Sequence, residues 1–196
     1  MELEEAASQI SEIHAQMLKS EVFRGYRSLP VATTGILALL AALLQPGLQA
    51  STDPTSRAWY WVVVALLCAV VCFADLAVIF WQEESPGQRE RIKKAVGQVL
   101  PALVAGAVVT WTLIDTPAAR FLPGLWLLIF SLCLFGSRLF LPRRVGLVAL
   151  FYFCVGAMWL LDPSIAASPL SLGLPFACGQ LALAAVLYHN LEREQE

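Results

Sequence analysis

The chain has 196 residues, of which 58% are hydrophobic and 14% charged, and its formal net charge is −2 at pH 7. Its mean hydropathy is +0.68, whereas an ordinary soluble domain has about 25% charged residues. These values exclude a soluble globular domain, a disordered chain and a fibrous protein. The absence of a basic stripe argues against nucleic-acid binding. The composition indicates an integral membrane protein.

Six apolar stretches come close to the roughly 17–25 residues that a helix needs to cross a bilayer. Because these stretches are continuously apolar and do not alternate, they predict helices and not barrel strands. Proline, glycine and aspartate residues separate them. The predicted fold is an all-α integral membrane bundle in residues 29–190, followed by a tail at 191–196. Its six transmembrane helices are expected at about 29–44, 58–81, 95–114, 121–137, 145–161 and 170–188.

The basic residues predict the orientation, because lysine and arginine concentrate in cytoplasmic loops. Only Arg57 and Arg120 fall on one side of the six predicted spans. The remaining basic residues fall on the other side, so both termini are expected in the cytoplasm. This cytoplasmic set is Lys19, Arg24, Arg27, Arg89, Arg91, Lys93, Lys94, Arg138, Arg143, Arg144 and Arg193.

Residues 1–28 predict a cytoplasmic amphipathic helix, since Leu3, Ile10 and Met17 repeat every seven residues. Glutamates come early in this segment and basic residues come late, an order that suits the helix dipole. A polar segment of this length is not expected to be a cleavable signal peptide. Two interpretations remain open. The segment is either an interfacial helix that leads into the first span, or a docking element for a cytoplasmic partner or a second copy.

Asp75 is the sharpest polar signal, because a charged carboxylate within a span costs about 2–3 kcal/mol on insertion scales. It lies about 9 Å inside the cytoplasmic end of the second span. Such a carboxylate must be paired, hydrated or protonated. It is either a proton- or ligand-linked group in a polar cavity or a structural pair between spans. Its candidate partners are Arg27, Lys94, Gln98 and Arg138.

Two glutamines and one arginine complete the candidate polar site around Asp75. Gln98 lies on the third predicted span and Gln180 near the middle of the sixth, while Arg138 follows the fourth. Polar side chains inside a bundle commonly form hydrogen bonds between helices. Gln180 is therefore expected either to form such a bond or to belong to a site.

Ala102, Gly106 and Thr110 continue from Gln98 at steps of four residues along the third span. Residues four apart share one face of a helix. Small residues let two helices approach closely in a membrane. The three residues therefore predict a helix–helix packing seam.

The segment Phe121–Leu128 reads Phe-Leu-Pro-Gly-Leu-Trp-Leu-Leu. It resembles the Leu-Pro-Gly-Leu-Trp-Leu-Leu block of a group of small, uncharacterised bacterial six-span integral membrane proteins, often encoded beside a winged-helix transcription regulator. Leu100–Gly106, Met17–Phe23 and Phe151–Leu161 are similar to the same group. The resemblance implies a regulated component of the bacterial cytoplasmic (inner) membrane and supplies no catalytic residue. The chain departs from the group in a more basic inner loop, which contains Arg138, Arg143 and Arg144.

The sequence contains no paired-carboxylate, nucleophile-elbow, phosphate-loop or His-x-x-x-His motif. It predicts no catalytic residue, no cofactor and no metal, so an enzyme is disfavoured. The first hypothesis is a non-catalytic membrane subunit or sensor that contacts membrane lipid, a protein partner or a second copy. The alternative is a small transporter or channel that uses Asp75, with Pro101 and Pro175 breaking the third and sixth spans at a midplane site.

Overall fold

The computed structural model describes residues 27–48, 53–82, 86–137, 141–165 and 168–192. All but the last two residues of the predicted N-terminal helix at 1–28 lie outside these ranges. Lys19, Arg24, Arg138 and Arg193 also lie outside the described residues, and Arg91 is described only by its backbone.

Every regular element in the described ranges is a helix, which confirms the predicted all-α class. The helices are α1 (Ser28–Leu48), α2 (Pro54–Gln82), α3 (Pro86–Leu113), α4 (Leu122–Gly136), α5 (Val145–Leu161) and α6 (Pro169–Leu187). A 3-10 turn at Pro117–Phe121 precedes α4, and a π-helical turn at Tyr188–Glu192 follows α6. Five helical segments are long and apolar enough to cross a membrane, and α5, with 17 residues, is a shorter apolar helix.

Three helices extend beyond the predicted apolar spans. α1 continues through Pro46, α2 begins at Pro54 and α3 begins at Pro86. Proline suits the first turn of a helix, where its missing N–H is not needed. In α3 the ammonium group of Lys93 lies 3.2 Å from the Glu90 carboxylate, a helix-compatible i,i+3 pair. Hydropathy marks the part of a helix that suits lipid, and the helix itself continues into polar sequence.

α1 packs along α6 through small residues. Ala38 and Ala42 on α1 are each only 1% exposed. A Cβ added at Gly173 of α6 would lie 2.9 Å from the Ala38 carbonyl oxygen and would collide with the Ala42 Cβ. A Cβ added at Gly35 would lie 3.3 Å from the Ala177 carbonyl oxygen. The two backbones approach as closely as they do because these positions carry little or no side chain.

α4 and α5 form a second close pair, centred on two glycines. A Cβ added at Gly124 would lie 2.9 Å from the Gly156 carbonyl oxygen, and the reverse distance is also 2.9 Å. Further along the pair, the fully buried Ser131 hydroxyl donates a hydrogen bond of 2.7 Å to the Ala149 carbonyl oxygen. The α4–α5 pair therefore combines backbone contact with a hydrogen bond that satisfies a buried polar group.

Tyr152 of α5 joins α4, α5 and α6 at the centre of the bundle. The Tyr152 side chain is fully buried, and its hydroxyl donates a hydrogen bond of 3.0 Å to the Phe176 carbonyl oxygen. Its ring meets the Phe130 ring edge to face, with the centroids 5.1 Å apart. Gly179 faces the same ring, since a Cβ added there would collide with Tyr152. The tyrosine therefore fills a space that a glycine leaves open.

α2 and α3 lie at the edge of the bundle. We compared the share of buried residues in an 18-residue apolar window of each segment. This share is 44% for the α6 segment, 33% for the segment formed by the 3-10 turn and α4, and 28% for α1. The share falls to 6% in α2 and 0% in α3. We call the exposed apolar faces of these two helices the α2–α3 flank; it includes Leu66, Leu67, Val70, Leu103, Val104 and Val108.

A few specific contacts attach α2 and α3 to the rest of the bundle and to each other. The Tyr60 hydroxyl of α2 donates a hydrogen bond of 2.6 Å to the Ala41 carbonyl oxygen of α1. Trp126 of α4 donates its indole N–H to the Thr110 hydroxyl of α3 at 2.8 Å. Buried Ile92 near the start of α3 packs against the end of α2, at Leu76, Ile79 and Phe80.

Candidate functional site

Asp75 pairs with Arg27, one of its four predicted partners. An Nη1 atom of Arg27 lies 3.8 Å from Oδ1 of Asp75, which places α2 beside the start of α1. The Arg27 side chain is 62% exposed and the Asp75 side chain 26% exposed. The distance exceeds hydrogen-bond range, so the pair is an electrostatic contact and not a bidentate bridge.

The two glutamines lie at other helix pairs. Gln98 is exposed and faces the space between α3 and α4. Gln180 is only 5% exposed and packs where α6 meets Gly35 of α1. In the part of the chain that the structure describes, no hydrogen bond or ion pair joins Asp75, Gln98 and Gln180 to one another. The structure therefore does not bring these three side chains together.

The three small residues on α3 have different surroundings. The Thr110 hydroxyl donates a hydrogen bond to the Gly106 carbonyl oxygen at 2.6 Å and accepts the one from Trp126. A Cβ added at Gly106 would meet nothing within 4 Å. Ala102 lines a cavity. α3 thus contacts α4 at Thr110, and the two helices separate toward Gln98.

This separation forms an open groove of about 390 Å³, which we call the α3–α4 groove. Five of its eight lining residues are exposed, so the groove opens on the surface of the bundle. Seven of the eight are apolar or cysteine, and Gln98 is the polar exception. The lining residues are Gln98, Pro101, Ala102, Ala105, Ile129, Leu132, Cys133 and Gly136.

A second cavity, of about 100 Å³, lies at the opposite end of α2 from Asp75. Arg57 and Arg120, the two basic residues of the predicted outer side, both line it, together with Trp61 and Trp126. The Arg120 guanidinium lies 4.9 Å from the centroid of the Phe121 ring. In the sequence, these two arginines served only to predict the orientation of the chain in the membrane. The sequence feature that could have indicated a shared cavity is that each arginine is followed within six residues by a tryptophan.

The loop after α5 also borders this cavity, through Pro163 and Ser168. The neighbouring Asp162 is exposed. Hydrogen bonds from the Ser164 hydroxyl and backbone amide lower the pKa of the Asp162 carboxyl. The Asp162 carboxylate therefore keeps its negative charge to a lower pH than an ordinary aspartate, next to the Pro163 that borders the cavity.

The described basic residues of the predicted cytoplasmic side lie at the starts of α1, α3 and α5. Arg143 and Arg144 are exposed just before α5, and Lys93 is paired with Glu90. Arg89 places its guanidinium 5.4 Å from the centroid of the Phe80 ring. Within the described residues, the exposed Lys94 ammonium has no ion-pair partner.

Comparison of the chain with known protein families, with curated proteins and with solved structures finds no significant match.

Proposed function

We propose that the protein is a non-catalytic, multi-pass subunit or sensor of the bacterial cytoplasmic membrane that acts through protein or lipid contacts. In this proposal all six helices cross the membrane and both termini are cytoplasmic. α5, with 17 residues, is at the lower limit for a span. Arg143 and Arg144 stand at one end of α5 and Asp162 at the other, so their charges would sit at the two interfaces.

The observation that carries the proposal is the uneven burial of the helices. Among the described residues, α1, α4, α5 and α6 pack tightly, whereas the α2–α3 flank presents two long apolar surfaces that no described residue covers. Large exposed apolar patches mark sites of contact with membranes or other proteins. The flank is therefore the surface on which the proposed subunit or sensor makes its contacts.

Photocrosslinking at matched positions tests this proposal. Leu103 on the flank and Phe153 on α5 are each 43% exposed, so they offer a photoreactive amino acid the same access. In the native membrane, Leu103 is expected to yield an adduct of one discrete mass at higher yield than Phe153. Native mass spectrometry of gently extracted protein then identifies that adduct as a polypeptide, a second copy or a lipid. Equal adducts at both positions, or a monomer that retains nothing, would contradict the proposal.

The alternative is a small transporter or channel that uses Asp75. Asp75 lines neither described cavity, and α3 and α6 continue through Pro101 and Pro175 without interruption. These features favour the first proposal over the alternative.

The substitution Asp75→Asn distinguishes the two. Because the pair is long and Arg27 is largely exposed, the variant is expected to change the free energy of unfolding by less than about 1 kcal/mol. Proton or ion flux in proteoliposomes is expected to stay at the level of empty vesicles for both forms. Arg27→Gln is the matched control, since it removes the other charge of the pair. A flux that the wild type shows and Asp75→Asn loses would instead establish the transporter.

A further inference from the structure

We infer that the α3–α4 groove binds one anionic phospholipid, with the acyl chain along the groove and the phosphate beside Lys94. This inference rests on the proposed role of the α2–α3 flank, of which α3 is one half, and it specifies the chemistry of one contact. Three features of α3 carry it: the position of Lys94, the position of Gln98, and the length of the groove.

The Lys94 ammonium group lies one helical turn of α3 beyond the end of the groove. Lys94 and Gln98 are four residues apart and therefore share a face of α3, about 6 Å apart along the axis. Within the described residues, Lys94 has no ion-pair partner, whereas the adjacent Lys93 is paired with Glu90. Arg143 and Arg144 add two exposed positive charges at the start of α5, the helix that packs on α4. An anionic headgroup is the ligand that complements this charge.

Gln98 stands where the polar part of a lipid ends. Each headgroup layer is about 5–8 Å thick, and the hydrocarbon begins beneath it. With Lys94 at the level of the phosphates, Gln98 lies at the level of the ester groups. Its exposed amide makes no hydrogen bond within the described chain, and an amide without a partner is costly in an apolar medium. An ester carbonyl of the lipid can accept a hydrogen bond from this amide.

The remainder of the groove suits an acyl chain. From Gln98 to Ala105 it extends about 10 Å along α3, within the roughly 15 Å hydrocarbon depth of one leaflet. Its volume is about 390 Å³, and it is open along its length, as a groove that holds a chain at the lipid-facing surface must be. Between Gln98 and Ala105 the lining is apolar, with small residues on α3 and Ile129, Leu132 and Cys133 opposite. A second protein helix would not need a cation and an amide at these two levels.

The test is lipid retention by the full-length protein in native mass spectrometry. The purified chain is titrated with phosphatidylglycerol or phosphatidylcholine that have identical acyl chains. One retained phosphatidylglycerol is expected, at higher occupancy than phosphatidylcholine. Lys94→Gln is expected to weaken phosphatidylglycerol binding about fivefold. It should weaken phosphatidylcholine binding less, because the choline ammonium offsets the charge of the same phosphate. Lys93→Gln is the matched control, with the same change of charge at a lysine that is already paired.

A second pair of variants tests the groove itself. Ala105→Phe fills the groove and is expected to abolish retention of the lipid, whereas Ala107→Phe adds the same ring outside the groove lining and should retain it. If retention is unaffected by Ala105→Phe, or if the two lipids are held equally, the inference is wrong. A dimer that Ala105→Phe disrupts would also overturn it, in favour of a second copy in the groove.

The outcomes separate this inference from the proposed function. A discrete polypeptide adduct at Leu103, combined with equal retention of the two lipids, would support the membrane subunit and overturn the phospholipid site. No discrete adduct and no lipid preference would contradict both.

Discussion

Gly173→Ala is expected to destabilise the bundle by about 1–3 kcal/mol, the range for overpacking a tight interface. The new Cβ would lie 2.9 Å from the Ala38 carbonyl oxygen, collide with the Ala42 Cβ and lie 3.0 Å from the Trp61 ring. The carbonyl belongs to the backbone of α1, so it cannot move aside as a side chain does. The backbone of α1 must therefore shift away from α6 at this point. The measurement is the free energy of unfolding of purified protein in detergent micelles or bicelles.

Gly97→Ala is the matched control, since Gly97 lies within α3 and a Cβ there would meet nothing within 4 Å. Alanine at an open helical position is expected to be neutral or to stabilise by roughly 0.5–1 kcal/mol. The double variant Gly173→Ala with Ala42→Gly should recover part of the lost stability, because it removes the Cβ–Cβ collision and leaves the carbonyl contact. Equal stability of the Gly97 and Gly173 variants would show that α1 and α6 do not pack as described.

Tyr152→Ala is expected to destabilise the protein by about 3–5 kcal/mol, the range for removing a buried aromatic ring. The substitution leaves a cavity where three helices meet and removes the edge-to-face contact with Phe130. It also removes the hydrogen bond to the Phe176 carbonyl oxygen. Tyr152→Phe keeps the ring and removes the hydrogen bond alone, so its expected effect is about 0.6–1.7 kcal/mol. The unfolding free energies of the two variants measure these contributions separately.

A double-variant cycle with Gly179→Ala tests the position of the ring directly. In the wild type the new methyl group at Gly179 would collide with Tyr152, so Gly179→Ala should be destabilising. In the Tyr152→Ala background the ring is absent, and the same change should have little effect. Residues in contact give such non-additive energies, whereas separated residues give additive ones. Additive effects would show that Tyr152 does not face Gly179.

The positions of the helices were largely predictable, because an apolar helix is recognised from the composition of its own segment. α5 covers the same residues as the predicted fifth span, since Arg144 stands before it and Asp162 and Pro163 follow it. The start of α3 was predicted less well, because hydropathy reports suitability for lipid and not helicity. Residues such as Arg89 and Glu90 form helix readily in water, so α3 begins before its apolar part.

The residues of the candidate site could be predicted from the sequence, but their contacts with one another could not. The cost of a buried charge identified Asp75, yet it left four partners, and the structure pairs Asp75 with Arg27. The same limit applied to the glutamines, since nothing local to Gln98 or Gln180 indicates which helix each one faces.

By itself, the sequence determined the helical class, the approximate positions of the apolar helices and the residue types that are costly in lipid, because each follows from local composition. Only the tertiary structure decided which helices meet. Small residues on α3 and on α1 are equally capable of close packing, yet α1 has a complementary surface in Gly173 and Ala177, whereas α3 borders a groove. Close packing requires two complementary surfaces, and these come from distant parts of the chain. A local sequence pattern describes only one of the two surfaces, so it does not reveal the partner helix.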